Sequence, residues 1–286
     1  MSSFALPCGR RMAYALSQPT TSKPVVLLSN SLCEDYTSWD RVVPVLETLG
    51  FRTLRYDQPG HGRSPAPAAD QIAATTFETL ADDVAQLLKH LHISRLHAWV
   101  GVSMGGIKGV YFAARHPGVV QKLVVADAIA ASPTVAGAPV DVFAQRVAAA
   151  KTAGSMATDL DNVGRRWFGE AWLAANPTEA RRMRASMDTT TLEGLEACCA
   201  ALSSSSFDLR PLYPSVGKGA DEALIVVGEK DADLPVKMQD MRAAIETSLA
   251  ANGKTTPVAL EIVANAGHVP YVDGFDQFCE ILKTFL

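Results

Sequence analysis

The amino-acid sequence predicts an α/β fold: one mostly parallel sheet of about eight strands with helices on both faces. Three observations lead there. Short runs rich in Val, Ile and Leu recur along the chain. Stretches with apolar residues at three- and four-residue spacing lie between them. The 286 residues suit one large core with an inserted substructure better than two independent cores.

Residues 4–17 read as a strand hairpin turning at Cys8-Gly9-Arg10, and residues 24–29, 51–57, 96–102, 121–127, 223–228 and 258–264 supply the remaining strands. The clearest helix spans 77–91, with Leu80, Val84, Leu87, Leu88 and Leu91 on one face and Asp82 and Asp83 near its start. Residues 104–116 form a helix directly after a strand. Pro235 stands where a first helical turn begins, ahead of Met238, Met241, Ile245 and Leu249, and a last helix covers 275–285. The segment 132–214 breaks the alternation. It shows no convincing strand, is rich in Ala and Arg, and carries Trp167, Phe168 and Trp172 close together. The expected organisation is therefore a core of 1–131 and 215–286 with a helical cap, 132–214, inserted after the sixth strand, over the carboxyl ends of the strands where ligands bind in open α/β sheets.

Composition narrows the function. The net charge is −4, from 26 Lys and Arg against 30 Asp and Glu, and no basic run is long enough to track a phosphate backbone. Nucleic acid and anionic membranes are not expected partners; a small molecule is. The opening residues lack a long apolar stretch and no segment reaches the ~20 apolar residues of a membrane span, so a cytoplasmic location is expected. The five cysteines, Cys8, Cys33, Cys198, Cys199 and Cys279, show no CxxC pair and no histidine at metal-ligand spacing. They read as reduced thiols, and no metal or other cofactor is expected. The sequence leaves homo-oligomer formation open.

Gly101-Val102-Ser103-Met104-Gly105 fits GxSxG, with a strand running in and a helix running out. A serine on so sharp a turn crowds its neighbours, and Gly101, Gly105 and Gly106 relieve the crowding. Serine needs a base to take its proton, and the base needs a carboxylate to fix its tautomer. This strand-turn-helix serine resembles the nucleophile of α/β-hydrolase-fold serine hydrolases, where the acid and then the histidine follow on loops after later strands. Of six histidines, His61, His90, His92 and His97 precede the serine and His116 ends its helix; only His268 follows a late strand. The acid is read as Asp231, on the loop after 223–228. Glu229 and Asp233 are its neighbours, and Asp127, at the end of the preceding strand, is the other possible position.

The oxyanion of a tetrahedral intermediate needs two backbone N–H donors. One is expected from Met104, after the nucleophile. The other should come from Ser31, or failing that Leu32, in the loop Ser29-Asn30-Ser31-Leu32-Cys33. This loop, Trp39, the run from Leu54 to Ser64, the segment Gly101 to Gly106 and Arg166-Trp167-Phe168 together resemble the 3-oxoadipate enol-lactone hydrolases. The resemblance implies a cofactor-free hydrolase of a lactone or carboxylic ester, with Arg166 and Trp167 in the cap binding substrate. The chain departs from that family at Cys33, where glycine is expected, and in a longer stretch at 248–257. A general carboxylesterase, a cofactor-free haloperoxidase or perhydrolase, and a slow-turnover ligand receptor on the same fold are the other readings. His61 is expected to hold its loop and to take no part in catalysis.

Overall fold

The computed structural model describes residues 2–286. Two short strands, β1 (Ser2–Ala5) and β2 (Arg11–Leu16), form the expected hairpin, and β3 (Val25–Ser29) follows. Then come α1 (Val42–Thr48), β4 (Arg52–Tyr56), α2 (Ala69–Ile72), α3 (Phe77–His90), β5 (Leu96–Val102), α4 (Met104–Arg115) and β6 (Val120–Ala126). Five helices fill the next segment: α5 (Val142–Ala153), α6 (Ala157–Phe168), α7 (Glu170–Ala175), α8 (Pro177–Met187) and α9 (Leu192–Ser203). The chain closes with α10 (Tyr213–Gly219), β7 (Glu222–Gly228), α11 (Leu234–Ala251), β8 (Ala259–Val263), α12 (Pro270–Asp273) and α13 (Phe275–Phe285).

The eight strands form one sheet in the order β1-β2-β4-β3-β5-β6-β7-β8. Only β2 runs against its neighbours, pairing antiparallel with β1 and β4; the other pairs are parallel. All five residues of β3 are buried, as are all but one in each of β5 and β7. That is why these strands read as continuous apolar runs: helices cover both of their faces. At the edge, β8 is largely exposed, which leaves a weaker pattern.

The helices bury the stripes their sequences announce. In α3, Thr76 caps the first turn by accepting from the Thr79 N–H, and Leu80, Ala81, Val84, Leu87 and Leu88 face the core. In α11, Pro235 opens the first turn and Met238, Met241, Ile245 and Leu249 are buried. This helix runs to Ala251 and so takes up part of the extra length noted at 248–257. By contrast α4 is buried on every side from Met104 to Ala113, because it lies between the sheet and α3 and α10.

The topology fixes where chemistry can occur. From β3 the chain goes to β4 on one side, then crosses to β5 on the other. Ligands in open α/β sheets bind at such a reversal, beyond the carboxyl ends of the strands. Ser29, the last residue of β3, and Gly101, one before the end of β5, are register partners, and Gly101 in turn pairs with Val125.

Candidate active site

Ser103 sits at that reversal, between β5 and α4, with φ 53° and ψ −119°. This is the strained elbow its motif requires, and the fold holds it by close backbone approach. A Cβ on Gly105 would stand 2.0 Å from the Ser29 carbonyl oxygen, and one on Gly101 would stand 2.2 Å from that of Gly105. The first turn of α4 is thereby seated directly against the loop after β3. Gly105→Ala should destabilise the protein by about 1–3 kcal/mol through overpacking. Urea denaturation measures this, and an unchanged midpoint would show that the backbone yields at no cost.

The structure brings His268 and Asp231, read above as base and acid, together. His268 Nδ1 and Asp231 Oδ2 are 2.6 Å apart, both side chains buried. Burial pushes the Asp231 carboxyl upward, but His268 and Arg166 outweigh it and hold its pKa below the usual carboxylate range. The second possible acid, Asp127, stands beside Asp231 with φ 46° and accepts from the Gly228 N–H at 2.8 Å. Burial, and then the charge of Asp231, raise its pKa well above the usual range. Two neighbouring carboxyls do not both ionise in the interior, so Asp127 keeps its proton and Asp231 carries the charge that faces the imidazole. Asp233 is exposed and pairs with Lys237. Glu229 accepts from the Asn265 N–H. Ser103 is half-buried, and no hydrogen bond joins its Oγ to His268.

The loop after β3 corrects one expectation. The Ser31 N–H donates to Glu34 Oε2 at 3.1 Å, inside the protein, and so is not free to meet a ligand. The physical cause is Glu34 itself. Its side chain is fully buried, accepts from both Ser31 and the Tyr271 hydroxyl, and is pushed up by burial to a pKa of about 7. The next N–H along, Leu32, has no partner among the described residues, and the loop around it is tied down. Trp39 Nε1 donates to Asn30 Oδ1 at 2.8 Å, and the Cys33 N–H donates to His61 Nε2 at 3.2 Å. Met104 is the first residue of α4, where N–H groups have no partner within the helix. The pair of available donors is thus Leu32 and Met104.

His61 holds the loop, as expected. Its Nδ1 lies 2.9 Å from the Pro59 carbonyl and Nε2 accepts from Cys33, which makes it a neutral imidazole with the proton on Nδ1. Burial lowers its pKa to about 4 and keeps it neutral. Cys33 adopts φ 65°, the conformation that favours glycine, and burial raises its thiol to about 11. It is no nucleophile at neutral pH, and Arg146 Nη2 lies 3.5 Å from its sulfur. All five cysteines are free.

The two residues singled out in 132–214 behave differently. Trp167 is buried, its ring 5.5 Å from that of His268, and its carbonyl accepts the His268 N–H at 3.2 Å. Arg166 is accessible to solvent and forms no ion pair or hydrogen bond among the described residues. Surrounding protein desolvates its guanidinium enough to lower its pKa, against the pull of nearby Asp231. Arg166 thus keeps a solvent-accessible, unpaired guanidinium within electrostatic reach of Asp231. A cleft of about 310 Å³, lined by Arg41, Trp172, Glu179 and Phe275 among others, contains none of Ser103, Asp231 and His268.

A serine on a strand-to-helix elbow, with a paired aspartate and histidine on loops after two later strands of one mostly parallel sheet, is the arrangement of the α/β hydrolases. The chain belongs to that family: residues 24–275 match the alpha/beta hydrolase fold. Among its relatives, 3-oxoadipate enol-lactonase 1 of Acinetobacter baylyi is 27% identical over 97% of this chain and 94% of its own. The crystal structure of an enol-lactonase from Burkholderia xenovorans is 29% identical, with a TM-score of 0.82 over 99% of each chain. A pimeloyl-[acyl-carrier protein] methyl ester esterase of Methylococcus capsulatus is 26% identical over 87% of this chain and 89% of its own. No helix among the described residues is long and apolar enough to cross a membrane.

Proposed function

We propose that this chain hydrolyses a lactone or carboxylic ester, with a carboxylate-bearing lactone as its preferred substrate, through Ser103, His268 and Asp231. The observation that carries the reading is the buried 2.6 Å Asp231–His268 pair on the loops that follow β7 and β8, at the same end of the sheet as the Ser103 elbow. His268 takes the Ser103 proton as the serine oxygen attacks the carbonyl carbon, and Asp231 holds the imidazole and stabilises its cation. The N–H groups of Leu32 and Met104 receive the oxyanion. His268 then protonates the departing oxygen, which in a lactone stays tethered to the acyl group. Water attacks the acyl-enzyme, giving its proton to His268, and releases the acid. Nucleophile, base and oxyanion donors all come from the chain, so no step calls for a cofactor.

The substrate class rests on two supports. The relatives named above as enol-lactonases match nearly the whole chain, and Arg166 offers an unpaired guanidinium beside the triad. Helices α5 to α9 serve as a cap, with Arg166 binding the carboxylate and Trp167 setting His268. Arginine suits this because its planar fork meets both oxygens. Cys33, in place of the family's glycine, favours a second reading, a carboxylesterase with a differently shaped acyl pocket.

A screen of lactones against p-nitrophenyl esters, with Ser103→Ala as control, tests the activity. Arg166→Met tests the substrate class. It should lower kcat/KM for an anionic lactone by roughly 10- to 100-fold, in line with ~1.5–3 kcal/mol for a charge-assisted hydrogen bond, and spare a neutral ester of similar size. Equal losses on both substrates would show that the arginine holds the cap and not the ligand.

A further inference from the structure

Lys108 lies on the nucleophile helix α4 with 1% of its surface exposed, and it has no carboxylate partner. Its ammonium is 5.0 Å from the centre of the Tyr56 ring, and its one hydrogen bond runs to Gln58 Oε1, at 3.0 Å. Because a lysine only donates, this contact fixes which way the Gln58 amide faces. The amide nitrogen then donates to the carbonyl oxygen of Ser31, at 3.0 Å. Gln58 and Ser31 are as buried as Lys108. An unpaired ammonium is among the costliest groups to place in a protein interior, and an apolar side chain of the same length would fill this space at lower cost.

The acceptor at the end of this chain matters. The Ser31 carbonyl and the Leu32 N–H belong to one peptide unit, which is trans, as all are among the described residues. In a planar trans peptide the two groups point in opposite directions, so fixing the carbonyl fixes the N–H. A hydrogen bond received by the carbonyl also polarises the unit and strengthens its N–H as a donor. We infer that Lys108 and Gln58 are positioning residues for the oxyanion site, a relay that aims and polarises the Leu32 N–H from behind. Burial lowers the Lys108 pKa to about 8, which still leaves it mostly protonated at neutral pH and a donor in either form. Glu34 complements the relay by occupying the Ser31 N–H, so that of these two neighbouring N–H groups only that of Leu32 is left free.

The inference rests on the oxyanion assignment made above, and the test separates the two. A short alkyl trifluoromethyl ketone is added to the enzyme: Ser103 Oγ bonds to its carbonyl carbon, His268 takes the serine proton, and the ketone oxygen becomes an oxyanion. Fluorine NMR over a pH series reads the ionisation of that hemiketal. Lys108→Met and Gln58→Met should each raise its apparent pKa by about one unit and lower kcat about tenfold with KM changed less than twofold. That is smaller than the 10²–10³-fold loss from removing an oxyanion donor outright. The double variant should lose little more than either single one, because both act through the same peptide. If Lys108→Met does not fold, Gln58→Met decides, since it removes the last bond of the same chain. A wild-type hemiketal that ionises normally low, with folded variants that match it in pKa and kcat, would overturn the relay and leave the oxyanion site standing. A wild-type enzyme that forms no ionised hemiketal would overturn the oxyanion assignment itself, and the relay with it.

Discussion

Ser103→Ala is expected to lower kcat by about 10⁴-fold or more while moving the unfolding free energy by less than about 1 kcal/mol. The triad acts as a unit, and without its nucleophile only oxyanion binding and orientation are left. The alanine keeps the elbow, because the strain at φ 53° is held by neighbouring backbone and not by the serine hydroxyl. Two measurements check it: turnover on the best lactone or ester, and labelling by a fluorophosphonate, which should attach to Ser103 and vanish in the variant. Retention of even a tenth of wild-type turnover would remove Ser103 from the mechanism.

The second large effect falls on the acid. Asp231→Asn should cost about 10³- to 10⁴-fold in kcat, since an amide facing Nδ1 no longer stabilises the imidazolium and favours the wrong tautomer. Asp127→Asn should cost less than tenfold. Its carboxyl is already held neutral by burial and by Asp231, and an amide oxygen still accepts from the Gly228 N–H. Asp233→Asn should be silent, because that side chain faces solvent against Lys237. A larger loss from Asp127→Asn than from Asp231→Asn would assign the acid to the strand before. Measuring all three on one substrate decides the matter.

The elbow and the order of acid and histidine could be read from the chain because their constraints are local. Glycines must flank the serine, and each partner must follow a strand. The Ser31 N–H, the first choice for the oxyanion, is already taken, which leaves the alternative Leu32, for a reason no pattern reveals. A glutamate three positions on turns back to take the Ser31 N–H, and what holds it there is Tyr271, from the far end of the chain. Lys108 was illegible for a similar reason. A single lysine in an apolar helix reads as its solvated side, yet α4 has no solvated side until its last turn. Between 132 and 214 the sequence showed helices but not their number. In α5, for example, only Ala150 is fully buried, so there is no apolar stripe from which to read boundaries. Arg166 stands out in the sequence as a substrate-binding candidate only through the family resemblance; its lack of a partner is a fact of three dimensions.

The join between Trp167 and the histidine loop bears on how this enzyme can be remodelled. The Trp167 carbonyl receives the His268 N–H, and it lies so close to Gly267 that a Cβ there would come within 1.8 Å of it. The peptide that carries His268 is therefore fastened to α6 as well as to the sheet. Exchanging the whole 132–214 segment for that of a relative, in order to import another specificity, would cut this fastening and detune the base at the same time. Chimaeras whose seams leave residues 165–169 and 266–268 native should keep turnover on simple esters, whereas seams placed inside either run should not. New selectivity is best sought away from those two runs, and sparing Arg146 in α5 and Ser186 in α8, which touch the loop after β3.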